Sequence, residues 1–319
     1  MRRGIPALLF LLLKVVVFSL APAFGPLGAQ AQPETLRIEI AGASVSAGFI
    51  DGPLTGGAAE NSSVPLLPVL RGWFEEIDAK IHSRADAFMF VDAEKIGGLQ
   101  IDRALRQDPH LVVAVDFLFW FAYGDLKVRD LKDAEARLQR LQVGLDLLDR
   151  IPGSILISDL PDMGGADRRM LRPAQIPEST SLAKLNEAIA AWAKVRPRVR
   201  VFPLASTVAQ MKERGVDLPS GDHILKTEPM GLLQQDRLHA TRLGMAFLAC
   251  SLQPFVRELL PEAVRERLPE RTFVEFCAFA AAEVDLKDME RRLQERIEPE
   301  EKSKSGPAAK DAPPPGGGD

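Results

Sequence analysis

Two short runs, Leu111-Val-Val-Ala-Val115 and Ser154-Ile-Leu-Ile-Ser158, are apolar almost throughout. A strand with one wet face alternates apolar and polar side chains, whereas a strand covered on both faces reads as a near-continuous apolar run. Runs of this kind require a parallel sheet with helices on both sides. Further candidate strands at Leu36–Ile40, Ala87–Val91 and Val199–Phe202 are interleaved with helical patterns. These patterns cover Leu66–Ser83, Gln100–Gln107, Asp130–Arg150, Leu182–Val195 and Ala240–Arg257, with a last one over Thr272–Arg296. Strand–helix repetition predicts an α/β fold in three layers, α/β/α. In Asp130–Arg150, Leu131, Ala134, Leu138, Leu141, Leu145 and Leu148 recur at helical spacing and read as a core-facing stripe. Leu36-Arg-Ile-Glu-Ile40 instead alternates apolar and charged residues.

The two ends of the chain read differently from its middle. Arg2 and Arg3 precede an apolar run, Ala7–Leu20, followed by Ala29-Gln30-Ala31, a small-residue cleavage pattern. Residues 1–31 therefore read as a secretory signal peptide, which places the mature chain in the periplasm or outside the cell, with no stable membrane insertion after cleavage. An uncleaved anchor is the other reading of that segment. Residues 298–319 are rich in Pro, Gly, Lys and Glu and read as a disordered tail, leaving 32–297 as one domain.

Composition excludes several functions. The net charge is −4 and no run of Lys and Arg is interleaved with aromatics, so no nucleic-acid partner is expected. The four histidines are scattered and the two cysteines form no paired ligand motif, so neither metal nor cofactor is expected. Export would permit a Cys250–Cys277 disulfide, but both residues lie in apolar stretches where a buried thiol is the simpler reading.

Chemistry is carried by two separated segments. The first candidate strand runs into Ala41-Gly42-Ala43-Ser44-Val45-Ser46-Ala47-Gly48, where small residues allow a tight turn and could lift a serine above the sheet edge. Such a loop could equally hold a phosphate or be a plain turn. The second segment is Asp236-Arg-Leu-His239, just before a helix. Serine is a poor nucleophile until a base takes its proton, which imidazole does near neutral pH when a carboxylate fixes its tautomer. An Asp three residues before a His can fold back to Nδ1. The alternative is a helix-start Asp beside an incidental exposed His. His223 has no spaced partner and reads as surface.

Taken together, the two segments resemble the SGNH/GDSL hydrolase superfamily, with its serine block after the first strand and its D-x-x-H block before the last helix. Asp236-Arg-Leu-His239-Ala-Thr-Arg-Leu-Gly244 is similar to the family's terminal block, and Ile155–Met163 with Leu182–Ala193 resembles its strand, Pro-containing loop and helix. The resemblance spans about residues 36–256. It implies a flavodoxin-like parallel sheet and hydrolysis of carboxylic esters through an acyl-enzyme, with Ser44 as nucleophile, His239 as base and Asp236 orienting it. The substrate it implies is a small-molecule, lipid or acylated-sugar ester.

Two departures stand out. The family's first block usually reads Gly-Asp-Ser, whereas this chain has Gly42-Ala43-Ser44; its third block usually supplies Gly and Asn, whereas this chain has Asp116-Phe-Leu-Phe-Trp120. The oxyanion donors expected from the resemblance are the Ser44 N–H and Gly97 or Gly98, read as lying in the loop after Ala87–Val91. Asp116 and Trp120 are candidate substrate contacts, with Asp116 alternatively a structural acceptor. Phe117, Phe119, Trp120, Phe121 and Tyr123 could line an apolar acyl pocket, but most of them read as core residues of a helix packed on the sheet. Two other functions remain open at this stage. One is a catalytically impaired ligand-binding or envelope-associated protein of the same fold; the other is an acyltransferase or deacylase acting on envelope polysaccharide.

Overall fold

The computed structural model describes residues 35–49, 64–126, 133–220 and 223–282. The signal-peptide and tail readings lie outside them. Five strands form one sheet: β1 (Leu36–Ile40), β2 (Ala79–Ser83), β3 (Leu111–Ala114), β4 (Ser154–Ser158) and β5 (Val199–Phe202). All neighbours are parallel, in the order β2-β1-β3-β4-β5. This is the doubly wound, flavodoxin-like order. The helices are α1 (Ser44–Ala47), α2 (Leu66–Trp73), α3 (Ala93–Leu105), α4 (Phe119–Ala122), α5 (Asp133–Asp149) and α6 (Ser179–Lys194). They continue with α7 (Leu204–Glu213), α8 (Arg242–Leu259), α9 (Glu262–Arg265) and α10 (Phe273–Phe279). α2, α8 and α10 pack together, as do α3, α4, α5 and α6, giving the two helical layers of an α/β/α sandwich. A hairpin, β6 (Asp217–Ser220) with β7 (His223–Lys226), was not expected from the sequence. His223 opens its second strand.

β3 and β4 are buried from end to end or nearly so, as continuous apolar runs demand. β1 is also largely buried, although it alternates, because its buried charged residue, Glu39, is paired. Glu39 accepts from the Arg84 guanidinium at 2.7 Å and lies 3.0 Å from His82 Nδ1 on the β2 side. Unpaired, a carboxylate 1% exposed would be very costly.

One expected strand is wrong. Residues 87–91 form turns, with Phe88, Phe90 and Val91 exposed, and the second strand is instead Ala-Lys-Ile-His-Ser at 79–83. The helix expected over Leu66–Ser83 accordingly ends at Trp73. At the C-terminal end α10 stops at Phe279, and Ala281 has a positive φ of 48°. The rest of the helical pattern expected to Arg296 falls largely outside the described residues.

The strand order reverses between β1 and β3: the chain leaves β1 for β2 on one side and later returns to β3 on the other. The carboxyl ends of strands flanking such a switch point frame a crevice in which open α/β sheets bind ligands. Ser44 follows β1 and Asp116 follows β3, so both residues sit at that crevice.

Candidate active site

The nucleophile loop is held from two directions. Gly42 exchanges a pair of hydrogen bonds with the buried Gln100 amide of α3, its N–H donating to Oε1 at 2.8 Å and its carbonyl accepting from Nε2 at 3.0 Å. From the end of β3, the Asp116 carboxylate accepts from Val45 N–H at 2.8 Å, Ser46 N–H at 3.2 Å and Ser46 Oγ at 2.5 Å. Burial pushes the Asp116 carboxyl above its ordinary range, against these hydrogen bonds, which favour the ionised form. Among the described residues no group accepts from the Ser44 N–H, while the two N–H groups that follow it are taken.

The second segment builds its turn on Asp236. Arg237 adopts a left-handed φ of 56°. Asp236 Oδ1 accepts from the N–H groups of Leu238 and His239, at 2.9 and 3.0 Å, the local capture that Asp favours in turns. The other oxygen, Oδ2, lies 2.5 Å from His239 Nδ1. Burial would raise the Asp236 carboxyl, but the hydrogen bond and charge of His239 and the two N–H groups outweigh it, leaving its pKa below the ordinary range. Backbone bonds from Gln234 N–H to His239 O and from Thr241 N–H to Leu232 O close the loop. Thr241 then caps α8, accepting from Gly244 N–H at 3.0 Å. Gly244 must be small here, since a Cβ would stand 2.1 Å from Leu232 O.

The two segments meet. His239 Nε2 lies 2.9 Å from Ser44 Oγ, joining residues 195 apart in sequence. The imidazole is 5% exposed and stacks on Phe49, ring centroids 4.3 Å apart. Phe49 is itself tied to the histidine loop, its carbonyl accepting from Gln234 Nε2. Ser44, His239 and Asp236 thus form one hydrogen-bonded line, with the serine hydroxyl facing a cavity walled by residues after β1, β3 and β4 and by α7 and α8.

The other expected site residues fall elsewhere. Gly97 and Gly98 are not in a loop but inside α3, where backbone N–H groups serve the helix. A Cβ on Gly97 would press on Phe121, Met89 and Phe117, so that glycine is there for packing. Neither supplies an oxyanion donor, and their misplacement follows from the wrong strand at 87–91. Trp120 is buried against Phe90 and Phe119 and does not line the cavity; Phe119 does. Asp116 lines the cavity but spends its carboxylate on the nucleophile loop, the structural-acceptor alternative. Ser46 and Gln100 were not anticipated at all. Cys250 and Cys277 are free thiols, pushed up to about 11 and about 12, mainly by burial. Among the described residues no His, Cys, Asp and Glu side chains gather to hold a metal ion, and no helix is long and apolar enough to cross a membrane.

No family model and no curated protein matches the chain. Several solved structures do. The structure of TesA is similar over 70% of this chain and 99% of its own, at 16% identity and a TM-score of 0.41. A GDSL-like lipase from Bacteroides thetaiotaomicron is similar over 73% of this chain and 94% of its own, at 13% identity and a TM-score of 0.42.

Proposed function

We propose that this chain is an exported serine hydrolase of the SGNH type that cleaves carboxylic esters through an acyl-enzyme on Ser44. One observation carries the reading: His239 stands between Ser44 Oγ and Asp236 Oδ2, at 2.9 and 2.5 Å. In this mechanism Ser44 Oγ attacks the ester carbonyl while its proton passes to His239 Nε2. Asp236 holds the Nδ1–H tautomer and stabilises the imidazolium. The Ser44 N–H, which meets no acceptor among the described residues, donates to the oxyanion. His239 then returns the proton to the departing alkoxide, and water, activated in the same way, hydrolyses the acyl-enzyme.

A second reading has its own support. Losing one oxyanion donor typically lowers turnover on the order of 10²–10³-fold. With Gly97 and Gly98 inside a helix, a slow enzyme or a ligand-binding protein of the same fold is the competing reading. Mature protein treated with a fluorophosphonate probe and with p-nitrophenyl esters, beside Ser44→Ala and His239→Ala, separates the two. Labelling of Ser44 and turnover abolished in both variants supports the hydrolase; absence of both in the wild type overturns it. Acyl transfer to an added sugar acceptor, in place of release as free acid, would mark a transferase acting on envelope polysaccharide.

A further inference from the structure

The cavity that Ser44 faces is built between two helix faces. Leu204, Thr207, Val208 and Met211 recur at the i, i+3, i+4, i+7 spacing of one face of α7. Across from them stand Gly244, Phe247 and Leu248 of α8, at i, i+3, i+4. The remaining wall contains polar side chains, yet each is turned into a local hydrogen bond. Asp116 is held by Val45 and Ser46. Ser158 Oγ donates to the carbonyls of Val115 and Asp159. Asp159 Oδ1 accepts from Ala205 N–H at 2.6 Å, at the start of α7. Thr207 Oγ1 donates to Pro203 O at 2.8 Å, within its own helix turn, so its methyl group is left for the cavity. The lining groups that the proposed reaction uses are the Ser44 hydroxyl and the His239 ring nitrogen beside it.

A wall of this kind selects a ligand by its lack of polar groups, because a hydroxyl or charge entering it would find no partner. We infer that the slot between α7 and α8 takes the acyl chain of the substrate, and that this chain is short and aliphatic, about four carbons in all. The inference rests on the hydrolase reading above. Its length follows from the cavity's size, about 70 Å³. That is roughly half of the ~150 Å³ engineered apolar cavity that accepts benzene, leaving room for about three carbons beyond the carbonyl. Acetyl esters underfill the slot, and long fatty acyl chains exceed it. A sugar belongs on the alcohol side, outside the slot, and a charged acyl group would find no partner inside it.

The test is a p-nitrophenyl ester series from acetate to dodecanoate, read as kcat/KM, with fluorophosphonate labelling of Ser44 run on each protein. Burying a methylene contributes about three- to fourfold, so butanoate should exceed acetate by about tenfold, with a decline for longer chains. Val208→Phe, which fills the slot, should lower the butanoate-to-acetate ratio at least about fivefold. Phe247→Ala, which opens it, should move the optimum to longer esters. Two variants acting in opposite directions keep the test decisive if one folds poorly. Ser44 labelling with a flat chain-length profile, or with variants that leave the profile unmoved, overturns the acyl slot while the hydrolase stands. Absence of Ser44 labelling in the wild type overturns the hydrolase itself.

Discussion

Replacing Gly42 by alanine should disable the site through its frame and leave all three hydrogen-bonded residues untouched. A Cβ at this position would stand 2.1 Å from Asp116 Oδ1 and 2.7 Å from Ser46 Oγ, and the Gly42 φ of +157° already disfavours a side chain. Asp116 cannot yield cheaply, because its carboxylate is buried and bound by Val45 and Ser46. Nor can the backbone of residue 42 retreat without breaking its paired bonds to Gln100. Overpacking typically costs about 1–3 kcal/mol and each hydrogen bond to a charged group about 1.5–3 kcal/mol, so the loss should be on the order of 3–6 kcal/mol. Displacing the serine by about 1 Å should also lower kcat/KM on the order of 100-fold. Urea denaturation followed by circular dichroism, together with ester hydrolysis by the fraction that stays folded, measures both effects. A variant with its midpoint within about 0.2 M of wild type and activity within twofold would refute the reasoning, since the clamp would then not be rigid.

Three further outcomes are expected. Asp236→Asn keeps the shape of the loop but removes the charge that holds the His239 tautomer, so kcat should fall on the order of 10³–10⁴-fold with the fold intact; a loss under about tenfold would count against the role of Asp236. Arg137→Met should cost about 3–5 kcal/mol, because the buried guanidinium bonds Asp133 at 2.7 Å and the Ala122 carbonyl at 2.7 Å and both would lose their donor; differential scanning calorimetry should show Tm lower by on the order of 10 °C. Asp149 is held below the ordinary carboxyl value of 3.8, chiefly by the Arg196 guanidinium. Its folded pKa lies under its unfolded one, so its contribution is full above that value and fades as pH falls through the folded pKa. The Tm difference between wild type and Asp149→Asn should therefore be widest near neutral pH and close on acidification, and a difference constant down to about pH 2 would contradict the ion pair.

The parts of the fold legible in the sequence are those fixed by local pattern. β3 and β4 show burial on both faces in their own composition, and Asp236 reaches His239 within a single turn, so D-x-x-H carries its geometry in its spacing. The failure at 79–91 has a physical cause. β2 is the edge of the sheet, and Ala-Lys-Ile-His-Ser is half polar because Ile81 alone is well buried. In the more apolar stretch 87–91 Met89 alone enters the core, while Phe88, Phe90 and Val91 lie exposed in turns, so its apolar character does not report a strand. Gln100 and Ser46 escaped notice because their partners, Gly42 and Asp116, are 58 and 70 residues away. No spacing rule reports contacts that only the closed sheet creates. The strand error then carried Gly97 and Gly98 from a helix into an imagined loop.

The line from Ser44 through His239 to Asp236 also marks time. It joins two ends of a chain segment 195 residues long, and the intervening sequence supplies every other strand of the main sheet after β1. Such a contact has high sequence separation and forms only after the costly closure of many intervening loops. Competence to react with a fluorophosphonate should therefore return late in refolding, after secondary structure and after the burial of Trp73 in the core. Reaction at Ser44, sampled at intervals after dilution from denaturant, would serve as a clock for the last step by which this chain becomes native.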